Sequence, residues 1–249
     1  MTPSLLGWIL ILVTTILLIT FTLRFKNRNG YPVRRIPGIK TLQKARVMAI
    51  EGGKPQHFIL GSRLFSQAYP GLGLSSLTGF SSYLDKETGI DGGLAVSGSE
   101  GSLVVLARQI VQNRYQNGFS KRLQHLEPNT TLYGTSPLSF TAGLLSEFGI
   151  HPPQTVSLFG NYGSESLLWA EAAAAKGGHV FAAAGTVASQ AALFIRVHDL
   201  LLGEEIFLAN GMLAPSSVNR AAWLTEDIVR IGLMVLLVVG AVLKMVGIL

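Results

Sequence analysis

The chain contains no cysteine in its 249 residues, which removes disulfide frameworks and thiolate metal sites without fixing a compartment. Charge is also scarce: Asp, Glu, Lys and Arg together make up 14%, against about a quarter in ordinary soluble proteins. His57, His125, His151, His179 and His198 show neither H-x-H nor H-x-x-x-H spacing, so a histidine-based metal site has no support. No G-x-x-x-x-G-K-[ST] occurs, and Gly98-Ser99-Glu100-Gly101 is not the G-x-S-x-G of a nucleophile elbow. GLGLSS at Gly71 lacks the third glycine of a dinucleotide fingerprint and follows no convincing strand. With these signatures missing, no catalytic residue, metal or cofactor is assigned.

What the chain has in excess is apolar length at its two ends. Leu5 to Leu23 is nineteen uncharged residues, enough to cross a hydrocarbon core of ~30 Å at ~1.5 Å per residue. A cleaved signal peptide needs a basic start and a small-x-small site, and neither flanks this run. It reads as an uncleaved anchor. Ile231 to Leu249 carries one charge, Lys244, near enough to the end to reach an interface. A second span is expected there, with a buried or interfacial helix as the alternative.

Charge placement gives the orientation. Arg24, Lys26, Arg28, Arg34, Arg35, Lys40, Lys44 and Arg46 follow the first span, and no acid intervenes before Glu51. The remaining twelve basic residues are set against fourteen acidic ones, so the net charge of +6 and the pI near 9.7 belong to this segment. They are no argument for nucleic acid. A basic cluster beside a span is retained on the inside and attracts anionic lipid, so membrane lipid is the partner expected for residues 24–46. With Arg220 and Arg230 before the second span, residues 24–230 are expected in the cytoplasm and both termini outside.

Between the spans one phrase recurs: HFIL-G-SRLFS, LAVS-G-SEGS, TLY-G-TSPLS, VSLF-G-NYGS and VFAAA-G-TVAS. Each is an apolar run, a glycine and then a serine (Ser66, Ser102, Ser139, Ser164 or Ser189). Four of the five open stretches of helical length that close on Gly118, Gly149, Gly177 and Gly203. Strand, glycine turn, serine N-cap, helix and glycine C-cap is the pattern of a βα unit. Gly98, Gly134, Gly160 and Gly185 are 36, 26 and 25 residues apart, near the length of a βαβ crossover. A sixth strand is expected at Glu204–Ala209, and a long connection over 66–93 holds one helix near Leu74–Leu84. The reading is an α/β fold: an open, mostly parallel sheet of about six strands with helices on both faces.

The domain plan that follows is a span over 1–23, a basic linker over 24–50, an α/β domain over 51–214, a connecting helix over 215–230 and a span over 231–249. In such a sheet every strand-to-helix turn emerges on one edge, where helix N-termini favour an anion. The candidate ligand-binding residues are therefore Gly61, Ser62 and Arg63; Gly98, Ser99 and Glu100; Gly134 and Thr135; Gly160, Asn161, Gly163 and Glu165; Gly185 and Thr186. Capping alone accounts for the same serines. First-turn glutamates likewise complement the helix dipole without doing acid–base work.

The phrases HFILGS, FGNYGSESLLWAEAA and GEEIFLANGML, followed by a polar helix and a final span, resemble an uncharacterised family of bacterial membrane proteins, a domain of unknown function. The resemblance covers most of residues 50–245 and implies an N-terminal anchor, an α/β body and a C-terminal helix. It implies no activity. Two function classes stay open. One is a structural or assembly subunit, as a homo-oligomer or within a larger membrane complex. The other is a small anion- or nucleotide-sensing domain at the glycine and serine turns, with a hydrolytic enzyme a distant third. The first is favoured because the predicted mouth offers few groups able to do chemistry.

Overall fold

A computed structural model describes residues 5–26, 36–61, 71–85, 93–118, 129–203, 205–213 and 217–245. The chain divides into two compact units, Met1–Arg34 with Pro215–Leu249, and Arg35–Ala214.

The larger unit is an α/β body. Its strands are β1 (Gln56–Leu60), β2 (Leu94–Gly98), β3 (Asn129–Thr131), β4 (Thr155–Gly160), β5 (His179–Ala184) and β6 (Asp199–Leu202). They form one parallel sheet in the order β3-β2-β1-β4-β5-β6. The helices are α2 (Pro37–Glu51), α3 (Leu72–Asp85), α4 (Gly101–Gly118), α5 (Pro137–Ile150), α6 (Ser166–Ala175), α7 (Val187–Phe194) and α8 (Glu205–Leu213). The expected open parallel sheet with helices on both faces is what forms.

Alternation along the strands divides the core in two. Phe58, Leu60, Val96, Phe159, Phe181 and Leu201 point to the side of α2, α3, α4 and α8. Ile59, Val156, Leu158, Ala182 and Ala184 point to α5, α6 and α7. On the first side Phe58 meets Phe80, Tyr83 and Phe159 with ring centroids 5.0–5.2 Å apart. Burying each such ring is worth about 1.5–3 kcal/mol. On the second side the alanines of β5 and α6 take little space, and Trp169 packs edge-on against Phe140 and Tyr162.

Three local expectations are corrected. The sixth strand is Asp199–Leu202, and the segment Glu205–Leu213, where a strand was expected, is α8. Ile206, Ala209 and Leu213 are fully buried at helical spacing, which a strand of period two could not achieve. Gly203, at φ 57°, therefore ends a strand and starts a turn, while α7 has already stopped at Phe194. Within the stretch read as a linker, residues 37–51 form α2, which buries Ile39, Leu42, Arg46 and Ala49. Lastly, β3 lies two residues earlier than the TLY run. The helix expected near Leu74–Leu84 is present as α3.

The smaller unit consists of α1 (Leu5–Lys26) and α9 (Ser217–Met245), which pack together. Both are long and apolar enough to cross a membrane, with mean hydropathy 2.1 over Gly7–Phe25 and 2.3 in Ser217–Met245. The hydroxyls of Thr14, Thr15, Thr20 and Thr22 donate to carbonyls one turn earlier, so no polar group of theirs needs an outside acceptor. Thr14 and Leu18 share an open groove of about 440 Å³ with Ala222, Thr225, Glu226, Val229, Arg230 and Leu233. The middle of α1 thus lies beside the charged first half of α9, where Arg230 pairs with Glu226 at 3.5 Å.

Candidate functional site

The strand order reverses between β1 and β4, which is the switch point at which parallel α/β sheets open a ligand crevice. Gly61 and Gly160 stand there, and Gly98, Gly134 and Gly185 close the neighbouring turns. What decides the chemistry is whether the space beside these glycines is open.

It is filled by the chain itself. A Cβ on Gly61 would lie 2.3 Å from the Asn161 nitrogen and 2.7 Å from the Gly160 Cα. One on Gly160 would meet the Gly61 Cα at 2.5 Å, and Gly160 also sits at φ 138°. At Gly185 the intruding atoms are those of Leu72, at Gly98 the Val104 methyl, and at Gly134 the Ser139 side chain. Gly163 has the Glu165 carboxylate in the same position. Each glycine has a neighbouring part of the protein in its Cβ direction, so close packing accounts for the missing side chain at all six.

The helix N-termini are equally engaged. Ser136 caps α5 in a reciprocal box with Ser139, and Thr186 caps α7 by accepting from the Ser189 N–H. The caps thus fall three residues before the predicted serines, which take the N3 position instead. Ser102 lies inside the first turn of α4 and donates to Glu100 at 2.6 Å. Before α6, the N–H of Gly163 donates to Glu165 at 2.9 Å. Glu100 and Glu165 therefore place negative charge where an incoming anion would have to sit. They belong to the turns after β2 and β4, two strand spacings of ~4.8 Å apart with β1 between. Ser99 follows β2 in a bend and Thr135 precedes the α5 cap. Asn161 is buried at 7% exposure. Ser62, Arg63 and Ser66 lie outside the described residues. Among the described residues no group of three His, Asp or Glu could hold a metal ion.

Several residues that matter here carried no local signal. Tyr162 is buried, its hydroxyl donates to the Ile59 carbonyl at 2.7 Å, and burial pushes its phenol well above the ordinary range. Thr186 donates in turn to the Tyr162 carbonyl, and Ser76 donates to the Phe159 carbonyl at 2.6 Å. These bonds tie together the turns after β1, β4 and β5. Deeper in the sheet, His57 Nε2 lies 2.9 Å from Ser97 Oγ and its ring stands edge-on to Phe148. Desolvation lowers the His57 pKa to about 3, so the imidazole is neutral and structural. At the other end of the strands the Arg46 guanidinium lies 3.4 Å over the Tyr83 ring and donates to the Tyr83 carbonyl, while Tyr83 donates to Gln56. Partners such as Arg46 and Tyr83 are 37 residues apart, and no spacing rule finds them.

One family model matches residues 3–249, described as a domain of unknown function (DUF6754). No curated protein and no solved structure matches the chain.

Proposed function

Since the chain belongs to the DUF6754 family over residues 3–249, whose description assigns no activity, we propose from its own geometry that it is a membrane-anchored structural or assembly subunit without catalysis. It would act as a homo-oligomer or within a larger membrane complex. The observation that carries this reading is the occupied turn edge: the space beside Gly61, Gly98, Gly134, Gly160 and Gly185 is taken by the protein's own atoms. The apolar side chains of the terminal helices support it. Trp8, Ile9, Ile11 and Leu12 on α1 and Leu236, Leu237 and Val238 on α9 are each more than half exposed, and the Cβ directions of Gly232 and Gly240 are open. Small residues of this kind let helices approach closely in lipid. In this reading α1 and α9 both span a bacterial membrane, the body lies in the cytoplasm and both termini lie outside. The basic segment 24–46 holds anionic lipid. Extraction in mild detergent, with the mass measured by light scattering and neighbours trapped by crosslinking in the membrane, tests it. A monomer without crosslinked neighbours would overturn it.

The strand order favours a second reading, an anion- or nucleotide-sensing domain at the β1/β4 switch point. This is an argument from fold alone, and the Gly61–Gly160 contact weighs against it. A thermal-shift panel of nucleotides and phosphorylated metabolites decides it: saturable stabilisation supports sensing, and none across the panel removes it.

A further inference from the structure

The edge of the sheet opposite the turns has its own composition. Helix α2 lies across it. Gly38 packs against Asp199, the first residue of β6, and the Ala45 carbonyl accepts from Thr155, the first residue of β4. The helix ends at Glu51, shortly before β1 begins. With Ile39, Leu42, Arg46 and Ala49 turned inward, the outward stripe is Lys40, Thr41, Lys44, Val47, Met48 and Glu51, at helical spacing. Val47 and Met48 are 52% and 65% exposed.

Each crossover helix of a parallel sheet returns the chain to this same edge. Lys176 at the end of α6 therefore emerges here, as do Phe194 and Ile195 at the end of α7, which are 74% and 75% exposed. Lys54, in the turn before β1, is exposed here as well. The acids at this edge are mostly committed: Asp199 lies 3.0 Å from His179, Glu147 lies 3.2 Å from His151, and Glu171 pairs with Arg196 at 2.8 Å. Glu51 is the remaining exposed acid of the α2 stripe. The turn edge, by contrast, carries Glu100, Glu165 and Glu205.

We propose that this edge is a membrane-apposed face. Lys40, Lys44, Lys54 and Lys176 bind anionic lipid headgroups, while Val47, Met48, Phe194 and Ile195 enter the interfacial layer. The proposal rests on the reading that the terminal helices anchor the chain in a bilayer, and it deepens that reading by naming the surface of the body that binds lipid. A second copy of the chain would set lysines against lysines, whereas an anionic surface complements them.

The test uses the full chain in lipid nanodiscs, with single cysteines introduced at Val13, Met48, Glu100 and Ile195 and labelled with an environment-sensitive fluorophore. Phosphatidylcholine discs are compared with discs that also contain phosphatidylglycerol, using spin labels on headgroups or acyl chains as quenchers. Headgroup quenching at Met48 and Ile195 should exceed that at Glu100 severalfold, should strengthen with phosphatidylglycerol, and should weaken in the K40E/K44E variant. Equal quenching at all three body positions, with Val13 quenched from the acyl chains, would overturn the face and leave the anchors standing. Failure to quench Val13 would overturn both.

Discussion

Gly61 and Gly160 press their backbones together across the central β1–β4 seam so closely that a methyl group on either would overlap the main chain of the other. This contact gives the glycine phrase a packing role at the seam. Gly61→Ala or Gly160→Ala should lower stability by ~3 kcal/mol or more, the range of severe core disruption, and Gly160→Ala also strains a left-handed backbone. Gly177→Ala, at φ 79° with open space around it, should cost only ~1–2 kcal/mol. Thermal melts of the three variants in detergent check this ranking. Equal losses would mean that the seam is not the tight point.

The N-caps give a finer test. Ser136→Ala and Thr186→Ala should each cost ~1 kcal/mol. Thr186→Ala should be the larger because it also removes the bond to the Tyr162 carbonyl. Denaturant melts would show this, and an unchanged midpoint for both would mean that the caps are not formed.

Acid sensitivity follows from His57. The unfolded chain takes up a proton there below about 6.5, whereas the folded chain refuses it down to about 3. The unfolded state therefore binds more protons through that window. Stability due to this group is fully present above about pH 6.5 and falls with acidification, at up to ~1.4 kcal/mol per pH unit. His57→Gln keeps a partner for Ser97 and should flatten that limb. Melting temperatures between neutral and mildly acidic pH that fall equally in both proteins would assign the sensitivity elsewhere.

Assembly is read from α9. Gly240→Leu should shift the detergent-solubilised species toward a smaller mass while the circular dichroism of the body is unchanged. A variant of wild-type mass would remove Gly240 from the interface.

Topology can be read with an impermeant maleimide, because no native cysteine competes. Lys54→Cys should label only after lysis and Met245→Cys on intact cells. Labelling of Lys54→Cys without lysis would reverse the orientation.

The recurring glycine phrase made the sheet legible, because short apolar runs at crossover spacing leave few alternatives to parallel βα units. It misled at α8, where Glu204–Ala209 begins like a strand and only the burial of Leu213 reveals the helical period. It also hid α2, whose basic residues read as a linker although Ile39, Leu42 and Ala49 repeat on one face. For the candidate site the turn positions were readable, since Gly61, Gly98, Gly160 and Gly185 stand where expected. What fills the turns was not. Leu72 lies over a hundred residues from Gly185, and a glycine that admits a ligand is written identically to one that admits a leucine.

The strand order also governs how the body is made. β1 and β4 are neighbours at the centre of the sheet, yet nearly a hundred residues of chain are synthesised between them. A ribosome that has released β1, β2 and β3 holds a half-sheet whose inner edge is bare and apolar, with Phe58 and Ile59 lacking their β4 neighbours. Closing so non-local a seam is slow, and the exposed edge is open to misassociation until residue 160 emerges. The nascent chain therefore passes through a vulnerable interval that ends when Gly160 meets Gly61.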